Sequence, residues 1–394
     1  MTVSSKIAIH HVGGRWGNHP FPTPRRFAAD FINVLYEADV DAIPAIHAIR
    51  RDDEGELIVM PHCLSDTDGE ATLHIYLNPG LTSLRPLNPV FLRNEYINLF
   101  GIDFDDGGSR LLEKRAIPAH RLDTLLAQPG TACPPPDFLS LDVQGAEYEV
   151  LIGAQQSLER NVCGVIAEVI FAEGYVGQKR FQEIFDLLDQ LGFVFVRFLS
   201  IGEISRLGAP IGFRGAGCQG FADALFLRRP GTFSLPAAQR REQLTKLCFM
   251  AIVLGSIELA VECIQLLRDL PRAAMTDGPD RRAYTRFVAT VAAVYERSEK
   301  VFPPQFSRIL PASRIADFAA GAPPEEWPQL FDGLLEFDDA YRQALERLQD
   351  PRDTEFEAFL RSAEFVEQAD RVSFLRRHQS YQAARVIDRA RGSS

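Results

Sequence analysis
The stretch "DFLSLDVQGAEYEVLIGA", residues 137–154, runs from apolar residues into a helical pattern through a corner at Asp142, Gln144 and Gly145. A short apolar run closed by turn residues reads as a strand buried on both faces. Asp142 ends that strand, Gln144 and Gly145 turn the chain, and Glu147 enters the first turn of the helix "GAEYEVLIGAQQSLER", where a carboxylate suits the helix dipole. The proline-rich lead-in "ACPPP" stiffens the approach.

Working outward, strand-like and helix-like segments alternate through the first 230 residues, the pattern of a mainly parallel sheet covered by helices. "KIAIHHV" (6–12) and "FINVLYEAD" (31–39) read as the first two strands, with "TPRRFAADF" between them as a short helix capped by Thr23 and begun by Pro24. "ELIVMPHCL" (56–64) is the third strand, leading through the turn "SDTDGE" into "ATLHIYL" (71–77), which alternates as a partly exposed strand does. "VCGVIAEVIF" (162–171) follows, and then the amphipathic helix "RFQEIFDLLDQLG" with its glycine stop. "FVFVRFLS" (193–200) and "FADALFLRR" (221–229) lack a crossover helix between them, so this last pair is expected to be antiparallel. From about residue 235 the β-alternation ends and long helical periods begin, with the segment from Leu244 to Leu267 breaking near Gly255. Two domains are expected, 1–232 and 233–394, the second all-helical.

The 394 residues carry 42 Lys+Arg against 53 Asp+Glu, a net charge of −11, which does not suit a nucleic-acid partner. Cysteines 63, 133, 163, 218, 248 and 263 show neither C-x-x-C pairs nor a regular spacing, so a zinc knuckle or disulfide framework is not expected and a reducing cytoplasm fits. The N-terminal apolar run is too short for a signal peptide, and Lys246, Glu258 and Glu262 interrupt the greasiest later segment, so no transmembrane span is expected.

Ligands of open α/β sheets bind at the carboxyl ends of strands, near the point where strand order reverses. Four candidate elements fall at such ends. The loop "VGGRWG" offers Gly13, Gly14 and Gly17 for close backbone approach, and Glu37 follows Gly17 by 20 residues, where an acid accepts ribose hydroxyls. Asp66, with Ser65 beside it at the end of the third strand, either receives an adenine amino group or joins Asp68 and Gly69 in a hairpin turn, and Asp68 and Gly69 read as that turn. Asp142 and Gln144 form the corner already described. Asp142 and Glu168 end the fourth and fifth strands, where two carboxylates can hold a divalent cation, a reading set second to Asp142 orienting the cofactor or its loop and Glu168 pairing with a base. Among catalytic bases the candidates are Asp142, Glu168 and Glu173, ahead of His62 and His120. "NPGLTSLRP" reads as a loop closing over cofactor or acceptor, with Ser83 donating a hydrogen bond, ahead of an ordinary surface loop. "FRGAGCQGFAD", with Arg214 and Asp223, reads as either an opposite wall or a surface loop, and Asp123 as the cap of a helix beginning in "RLDTLL".

The pattern D-x-Q-G-A-E-x-E-V-L-x-G-A resembles the signature of the FkbM-type methyltransferases. "CLSDTDGEATL", "NPGLTSL", "GYVGQKRFQEIFDLLDQLGF" and "ADALFL" follow the same family's order, and the likeness runs from about residue 6 to 229. The resemblance implies a Rossmann-like class I sheet of seven strands, mostly parallel with an antiparallel last hairpin. It also implies S-adenosylmethionine as cofactor and O-methylation of a hydroxyl on a sugar, glycan or other polar metabolite. The competing reading is a non-catalytic methyltransferase-like module serving protein interaction in a glycan-assembly system; a homo-oligomer is compatible with either. One position departs. The family's first strand usually ends Asp-Val-Gly near the cofactor's ammonium group, and this chain has His11-Val12-Gly13. A neutral imidazole there forfeits a charged contact of about 1.5–3 kcal/mol, unless Glu37, Asp39 or Asp142 compensates.

Overall fold
The computed structural model describes residues 6–13, 21, 23–49, 55–94, 97–98, 109–131, 133–205, 218–270 and 282–297. Gly14, Gly17 and Arg214 lie outside these residues.

The chain builds β1 (Ile7–Val12), β2 (Phe31–Tyr36), α1 (Ile43–Ile49) and β3 (Glu56–Met60), then β4 (Cys63–Leu64) and β5 (Gly69–Tyr76). It continues with α2 (Pro89–Asn94), β6 (Ile97–Asn98), β7 (Leu111–His120), α3 (Leu122–Ala127) and β8 (Phe138–Leu141). There follow α4 (Glu147–Gly153), α5 (Gln155–Arg160), β9 (Gly164–Ile170), α6 (Phe181–Gln190), β10 (Phe193–Ser205) and β11 (Cys218–Arg228).

The main sheet has the order β3-β2-β1-β8-β9-β11-β10-β6. Pairing is parallel from β3 to β9 and antiparallel at β11 and β10. The expected seven strands are thus present, the last pair as a hairpin, and the two-residue β6 adds an edge against Ile204 and Ser205. All residues of β1, β2 and β8 are buried, which is why these runs show no alternation: helices or loops cover both faces. Val12, Val34, Leu139, Leu141, Val165 and Phe226 belong to one core cluster.

Several local expectations are corrected. Residues 56–64 are not one strand: β3 stays on the main sheet, whereas β4 departs to a second sheet of order β4-β7-β5. The β4 and β5 strands are therefore not hairpin partners; β7, unforeseen, lies between them, parallel to β4 and antiparallel to β5. Its first four residues are exposed and only Ile117 and Ala119 are buried, so it carries almost no alternation to read. The helix after β8 breaks at Ala154 into α4 and α5, and Asp123 caps α5 rather than its own helix α3, accepting from Gln156 N, Ser157 N and Ser157 Oγ at 2.6–3.0 Å. Asp68 likewise does more than turn the chain: it accepts from Arg121 N and Thr124 Oγ1 at 2.9 and 2.8 Å, which lowers its pKa.

The chain divides into two compact units, residues 1–23 with 28–243, and 24–27 with 244–394. The described part of the second is helical: α7 (Ala237–Val253) runs into it, and α8 (Ile257–Asp269) and α9 (Ala283–Arg297) follow, with Phe249 packed edge-on against Phe27, Tyr284 and Phe287. The break between α7 and α8 falls at Gly255, whose φ of +71° suits glycine. No described helix is long and apolar enough to cross a membrane.

Candidate active site
After β1 the chain moves outward to β3 and returns on the other side of β1 as β8, so strand order reverses between these two carboxyl ends. Their ends are tied: Asp142 N donates to Val12 O at 3.0 Å and Gly13 N to Tyr36 O at 3.1 Å. Gly13 has φ +88°, and a Cβ there would stand 1.8 Å from the Asp142 carbonyl oxygen, so no other residue fits without moving the backbone. A cleft of about 170 Å³ opens at this point.

Gly13, Glu37, Leu64, Leu73 and Ser83 line it together with Asp142, Val143, Gln144 and Ala146 of the corner. Glu37 follows β2, is 7% exposed, and has Oε1 held by Asp39 N at 2.8 Å. Asp39 in turn binds Arg115 of β7 at 3.0 Å, and the same guanidinium reaches Asp41 and Glu113, fastening the second sheet to the end of β2.

His11 does not line the described cleft. It is 2% exposed, and Nε2 lies 3.2 Å from Asn33 Oδ1 of β2. Ser65 and Asp66 bond to each other at 3.1 Å, outside the lining; the adjacent wall is made by His62, Cys63 and Leu64. His62 packs edge-on against His120, and partial burial, then the charge of His120, lowers its pKa.

The corner is strained and braced. Gln144 holds φ +56°, rare for a side-chain-bearing residue, and Gly145 φ +92° with the Tyr175 ring 2.9 Å from where its Cβ would be. The buried Glu147 carboxylate accepts from Val143 N and Gly145 N, each at 3.0 Å, and its desolvation pushes its pKa up to about 7. Ser83, part of the cleft lining, donates Oγ–H to Gln144 O at 2.7 Å, binding the 79–84 segment to the corner.

From this corner three acids run side by side over neighbouring strands: Asp142 beyond β8, Glu168 in β9 and Asp223 in β11, the last two directly paired. Ser200 Oγ donates to Asp223 at 2.5 Å. The Gln144 amide joins the first two, Nε2 donating to Asp142 Oδ1 at 2.7 Å and Glu168 Oε2 at 2.8 Å. Desolvation raises the pKa of both, and at Glu168 the charges of Asp142, Glu147 and Asp223 raise it further. Glu168 therefore meets an amide and other carboxylates rather than the expected base. Among the described residues no three His, Cys, Asp or Glu side chains form a group that could hold a metal ion. A cation bridging Asp142 and Glu168 would have to displace the amide. Glu173 is not part of the described cleft lining; its Oε1 accepts from Gly177 N at 2.8 Å and braces the 173–177 turn.

The sequence reading missed Asn33, Arg115 and Tyr175. Asn33 and Arg115 gain their roles only by pairing across strands, and Tyr175, in the "GYVGQK" loop, reaches Gln144 Oε1 at 2.9 Å.

Residues 36–195 match the family model of the methyltransferase FkbM domain. No curated protein matches the chain by sequence. The crystal structure of methyltransferase FkbM from Methylobacillus flagellatus KT, at 2.20 Å, is similar over 58% of this chain and 44% of its own, with 10% identity and a TM-score of 0.30. This chain thus spans less than half of that protein, and no residue roles pass across at such distance. The matched segment, similar to the methyltransferase FkbM domain, holds Glu37, the Asp142–Gln144 corner and Glu168.

Proposed function
We propose that the α/β unit is an S-adenosylmethionine-dependent O-methyltransferase acting on a hydroxyl of a sugar, glycan or other polar metabolite. The observation that carries this reading is the position of the cleft: it sits where strand order reverses, with a carboxylate, Glu37, at the end of the second strand and a glycine-only approach at Gly13.

The lining fits the cofactor's parts. Glu37 suits the ribose hydroxyls, Leu64 and Leu73 an adenine face, and Asp142 the ammonium group, supplying the charge that His11 does not offer. Bound S-adenosylmethionine supplies an electrophilic methyl group. Glu168, which is outside the cleft lining but tied to Asp142 of that lining through the Gln144 amide, is the proton acceptor in this reading. The acceptor hydroxyl would give up its proton to that carboxylate. Free cysteines throughout suit a reducing compartment such as the cytoplasm.

The test is thermal stabilisation of the full chain by S-adenosylhomocysteine, followed by methyl transfer from labelled cofactor to panels of sugars and glycans. Stabilisation with a labelled, base-stable ether product supports the proposal. Absence of stabilisation alongside stable capture of a protein partner supports the interaction module instead.

A further inference from the structure
Gln144 joins the Asp142–Glu168 pair, the Tyr175 loop and the 79–84 segment. Its nitrogen serves both Asp142 and Glu168, its oxygen lies 2.9 Å from the Tyr175 hydroxyl, and its main-chain oxygen accepts from Ser83. The Tyr175 hydroxyl also lies 3.4 Å from Leu81 O, a longer contact than that to the amide. An amide can rotate by half a turn with little change in shape, so its sense is set by its partners. With both carboxylates ionised, they alone hold the NH₂ group toward them. Once one gains a proton, it becomes a donor and an inward-facing amide oxygen competes.

We propose that Tyr175 is a positioning residue that locks the sense of the Gln144 amide, keeping its NH₂ group on Asp142 and Glu168 whatever proton that pair carries. The hydroxyl donates to Oε1, and the reversed amide would set its NH₂ against the Tyr175 oxygen and its own oxygen against two acids. The groups facing this arrangement are Glu147 under the corner and Asp223, with Ser200, on the neighbouring strands. The catalytic value of the lock rests on the methyltransferase reading. With the amide fixed, Glu168 returns to the same orientation after each proton transfer, and Asp142 stays directed to the cleft.

The test uses full-length ¹⁵N-labelled protein without cofactor, so that it reads the lock itself. The Gln144 NH₂ signals are identified by their loss in Gln144→Ala. Expected are slowed exchange of these protons in the wild type and roughly tenfold faster exchange in Tyr175→Phe, the change for one lost hydrogen bond of ordinary strength. Unchanged exchange in folded Tyr175→Phe overturns the proposal. Should that variant not fold, replacement of tyrosine by 3-fluorotyrosine, a stronger donor, is expected to slow exchange, and no change would overturn it equally. Activity then separates the two ideas: kcat in Tyr175→Phe is expected to drop about tenfold with the cofactor KM within twofold. Faster NH₂ exchange in a protein that binds no cofactor upholds the lock and removes the methyltransferase reading.

Discussion

Two neighbouring regions of one sheet treat buried titratable groups in opposite ways. On β1, His10 is wholly buried: its Nε2–H donates to Pro134 O at 3.0 Å, Nδ1 accepts from the Tyr36 hydroxyl at 3.1 Å, and desolvation drives its pKa down to about 3. Both of its ring nitrogens are used by the fold, and it is neutral throughout the physiological range. Beyond β8, Asp142, Glu147, Glu168 and Asp223 crowd together, and burial with mutual repulsion raises the carboxyl pKa values that shift. The histidines hold strands together, whereas the acids are kept near one another at a cost to stability. Of these acids Asp142 lines the cleft, and groups held against stability beside a cleft are the better candidates for chemistry.

The largest effect is expected at the hinge between the two regions. Gly13→Val sets a side chain into the Asp142 carbonyl at positive φ, and a loss of about 4 kcal/mol or more, read by chemical denaturation, is expected. A variant of unchanged stability would mean that β1 and β8 do not approach so closely.

Next comes Glu147. Its folded pKa of about 7 exceeds the ordinary 4.5, so the folded state binds more protons than the unfolded one between these values and stability falls as pH rises. Relative to Glu147→Gln, the wild type should lose about 3 kcal/mol between pH 4.5 and 7. A constant difference would show that the carboxylate is not desolvated.

His10 gives the opposite sign. Its folded pKa lies below 6.5, so the unfolded state takes up the proton first and stability falls as pH drops. Compared with His10→Gln, the wild type should lose about 2 kcal/mol between pH 6.5 and 5. If the imidazole instead titrates near 6.5 in the folded protein, the contrast between the two regions disappears.

The parts legible in the sequence were those with local signatures. Continuous apolar runs marked β1, β2, β8 and β9, the Asp142–Glu147 corner showed its turn residues, and the missing crossover before Phe221 gave the antiparallel hairpin. Illegible were features made by contact between distant segments. β7 has four exposed residues at its start, so its place between β4 and β5 depends on pairing and not on pattern. Asp123 caps a helix 33 residues away. At the site, Glu37 and Asp142 line the cleft as expected, but the expected role of His11 assumed that a residue at a strand end faces the ligand. In β1 its ring is engaged with Asn33 instead. Gln144 was read as a cofactor contact, and its grip on two acids could be seen only once β8 and β9 stood side by side.

The most direct measurement is calorimetric titration of the folded full chain with S-adenosylhomocysteine, in the wild type, Glu37→Gln and His11→Asn. The account predicts binding by the wild type, a loss of tenfold or more in Glu37→Gln, about 1.4 kcal/mol or above, and less than a threefold change in His11→Asn. No detectable binding at millimolar ligand, or a larger loss in His11→Asn than in Glu37→Gln, would contradict it.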